Sequence, residues 1–87
     1  MDVKVYALST CPHCRAARAW LDEEGVAYDV LEVDLLDGDT TDPSTPKGEA
    51  VAEVRRISGG ASFPVFVIGD EVIVGLNKVR VKELLGL

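Results

Sequence analysis

The chain has no Lys/Arg-rich stretch, no apolar run long enough to cross a membrane, only two cysteines and a single histidine. Each scarcity excludes something. Without clustered cations there is no electrostatic footprint for nucleic acid, and the net charge of −6 points the same way. A charge interrupts every apolar run well short of the roughly 20 residues that a spanning helix needs. Met1-Asp2-Val3-Lys4 leads directly into alternating residues and does not read as a signal sequence. No membrane partner is expected, and a cytoplasmic location is the default expectation. Two cysteines are too few to complete a structural zinc site. Lying three positions apart, they close too short a loop to stabilise much as a structural disulfide, and cytoplasmic chains rarely keep such disulfides. Cysteine counting therefore points to redox work.

What is present describes a globular chain. Its 87 residues suit one compact domain spanning 1–87, and 47% hydrophobic with 28% charged residues is too apolar for disorder. A domain of this size buries only roughly 60–65% of its unfolded surface, so modest stability is expected. The excess acids read as a solvated, solubilising surface.

Periodicity divides the chain into seven elements. Val3 to Leu8 reads as a strand. Ser9-Thr10-Cys11-Pro12 signals a helix start, with Pro12 at the first helical position. This helix is predicted from Pro12 to Glu24, with Ala16, Ala17, Trp20 and Leu21 as its apolar stripe and Gly25 as its terminator. Val26 to Val33 reads as a second strand. Leu35 to Lys47 is loop-like, acidic and broken by Gly38, Pro43 and Pro46. A second helix is predicted from Pro46 to Ile57, capped by Thr45 and carrying Ala50, Val51, Val54 and Ile57 on one side. Val65 to Ile68 and Glu71 to Val74 form a hairpin around Gly69-Asp70. Asn77 caps a last helix, Lys78 to Leu85, with Val79, Val81, Leu84 and Leu85 on its buried side. The order β-α-β-α-β-β-α predicts an α/β fold whose first three elements make a right-handed crossover, with helices on both faces of one sheet.

The chemistry concentrates in Cys11-Pro12-His13-Cys14. Disulfide exchange needs an exposed thiolate and a second thiol near enough to resolve the mixed disulfide. Cys11 falls at the start of a helix, where free N–H groups concentrate partial positive charge. Cys14 lies one turn along, and its thiol and its N–H can both donate toward the Cys11 sulfur. Free cysteine titrates near about 8.5, and comparable motifs reach about 3.5–7. Three units correspond to about 4 kcal/mol, whereas a helix terminus supplies roughly 0.3–2 kcal/mol. Hydrogen bonds to the sulfur must therefore share the task. Two readings of His13 stand side by side: a cation that favours the Cys11 thiolate and makes the pair more oxidising, or an exposed helix residue without a special role. The competing reading of the cysteine pair is half of a metal site shared between chains.

These residues resemble the glutaredoxin branch of the thioredoxin superfamily. The matching pieces are Val5 to Leu8 followed by Cys11-Pro12-His13-Cys14, then Ser62-Phe63-Pro64 before a strand, then Val74-Gly75-Leu76-Asn77 before the last helix. The resemblance covers nearly the whole chain; only the stretch from about Asp37 to Lys47 exceeds what a minimal member needs. It implies a thioredoxin-like fold with a four-stranded mixed sheet in the order 2-1-3-4. It also implies a cis bond between Phe63 and Pro64, where residue pattern alone favours trans. By resemblance, Phe63 pairs with the substrate through its main chain, and Ser62, Pro64, Gly75, Leu76 and Asn77 line the substrate site. The implied activity is thiol–disulfide exchange by a monomer on a disulfide-containing protein or a small thiol. It needs no metal and no resident cofactor, and its electrons come from glutathione or from thioredoxin reductase.

Two positions bear on the donor. Leu8 stands where glutathione-using members often carry a basic residue, and Lys78 stands near where they often carry an acid. The Val74-Gly75-Leu76-Asn77 segment is more similar to glutaredoxin-like redoxins served by thioredoxin reductase. Lys47, Arg55 and Arg56 are either solvated cations or ligands for a carboxylate. Trp20 and Tyr6 read first as packing, with partner docking as the alternative for Trp20. Three other readings compete: an iron–sulfur carrier using Cys11 of two chains with external thiols, a non-enzymatic adaptor that kept the fold, against which the intact cysteine pair argues, and net oxidation of substrates.

Overall fold

A computed structural model describes residues 2–87. The elements are β1 (Val3–Ala7), α1 (Pro12–Glu23), β2 (Asp29–Glu32), a 3-10 turn (Val33–Leu35), α2 (Pro46–Ser58), β3 (Val65–Ile68), β4 (Glu71–Val74) and α3 (Lys78–Leu85). The strands form a four-stranded sheet in the order β2-β1-β3-β4. β1 and β2 run parallel, while β1–β3 and β3–β4 are antiparallel. The mixed sheet and its order match the expectation, as does the cis bond between Phe63 and Pro64.

The predicted caps form. Thr45 Oγ1 accepts the Gly48 N–H at 3.2 Å and Asn77 Oδ1 accepts the Arg80 N–H at 3.1 Å. Helix α1 closes as a Schellman motif: Gly25 donates to the Asp22 carbonyl and Val26 to the Leu21 carbonyl. That closure explains one correction. Val26 to Tyr28 were expected in the second strand, but Val26 is held to the helix end, and pairing with β1 begins only at Lys4↔Asp29. Val33 likewise leaves the strand for the 3-10 turn.

The helices divide between the faces. Helices α1 and α3 cover one face, where Val5, Phe66, Ile68, Leu21 and Val81 are almost fully buried in one cluster. Helix α2 covers the other, where Tyr6, Val33, Val51, Val54 and Val65 form a smaller cluster. Two expected core residues lie outside. Ala16 is exposed, because the buried stripe of α1 runs through Cys14, Ala17, Trp20 and Leu21. Val79 is 70% exposed, because α3 buries the turn side carrying Val81, with Leu84 and Leu85 packed beside it. Ile57 is half-buried at the margin of the smaller cluster.

The acidic excursion is ordered by its own side chains. Asp39 accepts from the Thr41 N–H and hydroxyl, and Asp42 does the same for Ser44. Both carboxyls are held below the usual carboxylate range by these bonds. Thr45 ties the excursion to α2, and Gly48 lies so close beneath it that a Cβ would stand 1.9 Å from the Asp42 carbonyl oxygen. Only glycine fits that approach. Among the described residues no helix is long and apolar enough to cross a membrane.

Candidate active site

The β1–α1 turn presents Cys11 at the helix cap. Its N–H donates to the Leu8 carbonyl at 3.2 Å, and its sulfur accepts the Cys14 N–H at 3.3 Å. Pro12 occupies the first helical position, where no N–H is required. Cys11 is partly exposed and Cys14 is 1% exposed. The two sulfurs are therefore unequal. Burial acts to raise the Cys11 pKa, but it is outweighed by hydrogen bonds from the Cys14 thiol and N–H and the His13 N–H, and by the charge of Arg15, so Cys11 is lowered from its ordinary value. Burial, the hydrogen bond given to Cys11, and the negative charges of Cys11 and Asp34 push Cys14 up to about 11. A partly exposed thiol with a lowered pKa beside a buried thiol with a raised one is an arrangement capable of disulfide exchange.

His13 is exposed; its backbone N–H is among the groups that lower the Cys11 pKa, and the cation that does so is Arg15. Arg15 was not singled out from the sequence, although it lies four residues after Cys11, one helical turn along. Its guanidinium donates to the Ser9 carbonyl at 3.2 Å, bracing the turn. Asp34 braces it from the other side. Its carboxylate accepts the Ser9 N–H at 2.8 Å and the Ser9 hydroxyl, and these bonds hold its carboxyl below the usual range. Nothing local in the sequence marks Asp34; 25 positions separate it from Ser9.

The two other expected segments meet each other, and residues of both pack against the cluster that Cys11 adjoins. Gly75 donates its N–H to the Pro64 carbonyl at 2.8 Å and adopts φ +81°, which only glycine takes freely. Cys11, Phe63 and Leu76 pack as partly buried members around the larger cluster. Pro64 is buried and Ser62 is exposed. The side-chain oxygen of Asn77 is engaged as the α3 cap. Trp20 is core, 7% exposed, with the Lys78 ammonium 5.9 Å from its ring centre. Tyr6 is buried on the α2 side with Lys4 over its ring at 4.7 Å. Among the described residues no group of three or more His, Cys, Asp or Glu side chains is placed to hold a metal ion.

The sequence matches the glutaredoxin family model over residues 3–73, a span that includes both cysteines and the Phe63–Pro64 bond. The chain belongs to the glutaredoxin family. Glutaredoxin 1 of Rickettsia conorii is 55% identical over 29 residues, which is 33% of this chain and 28% of that relative's length. A glutaredoxin crystal structure from Archaeoglobus fulgidus is 38% identical, with a TM-score of 0.83 over 97% of this chain and 85% of that one. Methanosarcina acetivorans methanoredoxin is 30% identical, with a TM-score of 0.85 over 99% of this chain and 85% of its own. Glutaredoxins are thiol–disulfide oxidoreductases, and Cys11 and Cys14 of this chain lie within the matched span.

Proposed function

We propose that the chain reduces protein or low-molecular-weight disulfides through Cys11 and Cys14. The Cys11 thiolate attacks one sulfur of the substrate; the substrate S–S bond breaks and its other sulfur leaves as a thiolate that takes up a proton. Cys14 then loses its proton and attacks Cys11, releasing the second substrate thiol and leaving a Cys11–Cys14 disulfide. Two electrons pass to the substrate, and an external donor returns them. The observation that carries this reading is the inequality of the two sulfurs, a lowered, partly exposed Cys11 beside a buried Cys14 held near 11.

Thioredoxin reductase is favoured over glutathione as that donor. Leu8 supplies no charge beside the turn, and the ammonium of Lys78 rests over Trp20 near the segment where an acid would meet an amino group. No resident cofactor is assigned, and a chain with only two cysteines, three positions apart, suits a cytoplasmic compartment. The test follows disulfide reduction with thioredoxin reductase or with glutathione and its reductase as the electron source. Faster turnover with the former is expected. Cys11→Ser should abolish reduction with either, and retained activity would refute the assigned nucleophile.

A further inference from the structure

Ser9, two residues before Cys11, has every polar group engaged. Its N–H donates to one oxygen of the Asp34 carboxylate at 2.8 Å, and its hydroxyl donates to the other. Its carbonyl accepts from Arg15, whose Nε and Nη2 reach it at 3.4 and 3.2 Å. The preceding carbonyl, that of Leu8, holds the Cys11 N–H. Asp34 arrives there through the register of the sheet. Ala7 stands opposite Glu32 in the parallel pair, and two steps further along each segment Ser9 meets Asp34.

This arrangement keeps two opposite charges close without pairing them. Among the described residues Arg15 forms no salt bridge; it shares Ser9 with the Asp34 carboxylate and does not bind that carboxylate itself. A neutralised guanidinium would do little for a neighbouring thiolate, whereas an unpaired one acts with its full charge. An exposed arginine left free spreads over many rotamers, and its effect at one point weakens accordingly. Here the Arg15 fork rests on one carbonyl, and Asp34 holds the residue that bears that carbonyl. Hydrogen bonds to an ionised carboxylate are among the stronger ones. The Ser9 bonds, aided by the charge of Lys47 on α2, keep Asp34 ionised. The other groups that act on Cys11 are the Cys14 thiol and N–H and the His13 N–H.

We infer that Asp34 and Ser9 are positioning residues for the exchange reaction: the carboxylate holds Ser9, and Ser9 holds the Arg15 guanidinium at the turn that carries the attacking sulfur. The inference rests on the dithiol reading given above. Sign separates it from a plain charge effect. The negative charge of Asp34 opposes ionisation of a nearby thiol, as it does at Cys14. If charge were all that Asp34 supplied, its loss would ease the ionisation of Cys11. If Asp34 works through Ser9 and Arg15, its loss makes that ionisation harder.

The test follows the rate at which iodoacetamide alkylates pre-reduced protein against pH, with Cys11→Ser as the blank. Arg15→Gln should raise the midpoint by about 0.5, roughly a three-fold loss of thiolate at a given pH below it, the size of a contact with an exposed charge. Asp34→Ala should also raise the midpoint, although it deletes a negative charge. Asp34→Asn keeps an oxygen for the Ser9 N–H and an N–H for the Ser9 hydroxyl, so it should not raise it. Ser9→Ala loses only the hydroxyl bond and should give a smaller rise; it carries the test if Asp34→Ala does not fold. With Arg15→Gln already in place, adding Asp34→Ala or Ser9→Ala should raise the midpoint no further. A midpoint lowered or unmoved by Asp34→Ala or, failing that variant, by Ser9→Ala would overturn the network, and so would rises that add to that of Arg15→Gln. Wild-type protein that reduces no disulfide while its variants shift as expected would sink the dithiol reading and leave the network standing.

Discussion

The two faces of the sheet are finished differently. Under α1 and α3, the larger cluster is closed, with Phe66, Leu21 and Val81 fully buried. Under α2 alone, the cover is incomplete: a groove beside Cys11 opens there, and so does a second one of about 450 Å³ bounded by Lys4, Tyr6 and Glu53. Val72 and Val74 belong to this face too, because they stand opposite Val67 and Val65, and directly paired residues share a face. They remain 37% and 48% exposed. The closed face supplies the dry surroundings that raise the Cys14 pKa, whereas the open face leaves a groove beside the turn that carries Cys11. Phe63 packs against both clusters and so lies at their boundary.

Substitution separates the faces most sharply at Phe66. Phe66→Ala should destabilise the protein by about 3–5 kcal/mol, as cavities in closed cores do, measured by urea unfolding. A loss under 1 kcal/mol would show the closed face to be loosely packed. An alkaline titration comes next in size. Because the folded Cys14 pKa is raised from 9.0 to about 11, the folded state favours the protonated thiol. That contribution is fully present below about pH 9 and is lost as pH rises through 11, by roughly 3 kcal/mol. Comparing wild type with Cys14→Ala across that range removes the background of other titrations, and parallel curves would contradict the closed setting of Cys14. Smallest of all is Val74→Ser on the open face, which should change stability by less than about 0.5 kcal/mol. A larger loss would mean that this face is covered in solution.

Much of the site is legible in the chain itself, because its parts are local. A cysteine followed by proline at a helix start, a second cysteine one turn on, and capping residues at Thr45 and Asn77 each act within a few positions of chain. The sheet order and the cis bond are legible through family resemblance, since spacing alone favours an ordinary trans proline at Pro64. Asp34 and the groove are illegible for the opposite reason. Asp34 reaches Ser9 only because β2 lies parallel to β1, and the groove has walls from the β1–α1 turn, α2 and the excursion at once.

The alternation of apolar and polar residues, the helix signals and the spacing of Cys11 and Cys14 were enough to settle the element order and the kind of chemistry, since backbone preference and a one-turn reach depend on neighbours along the chain. Assembly in three dimensions settled the remainder. It turned Ala16 and Val79 outward, stopped β2 short of Val26, folded the acidic stretch into a wall and made the two thiols unequal. Burial and electric field are properties of what surrounds a residue, and residues distant in sequence provide those surroundings.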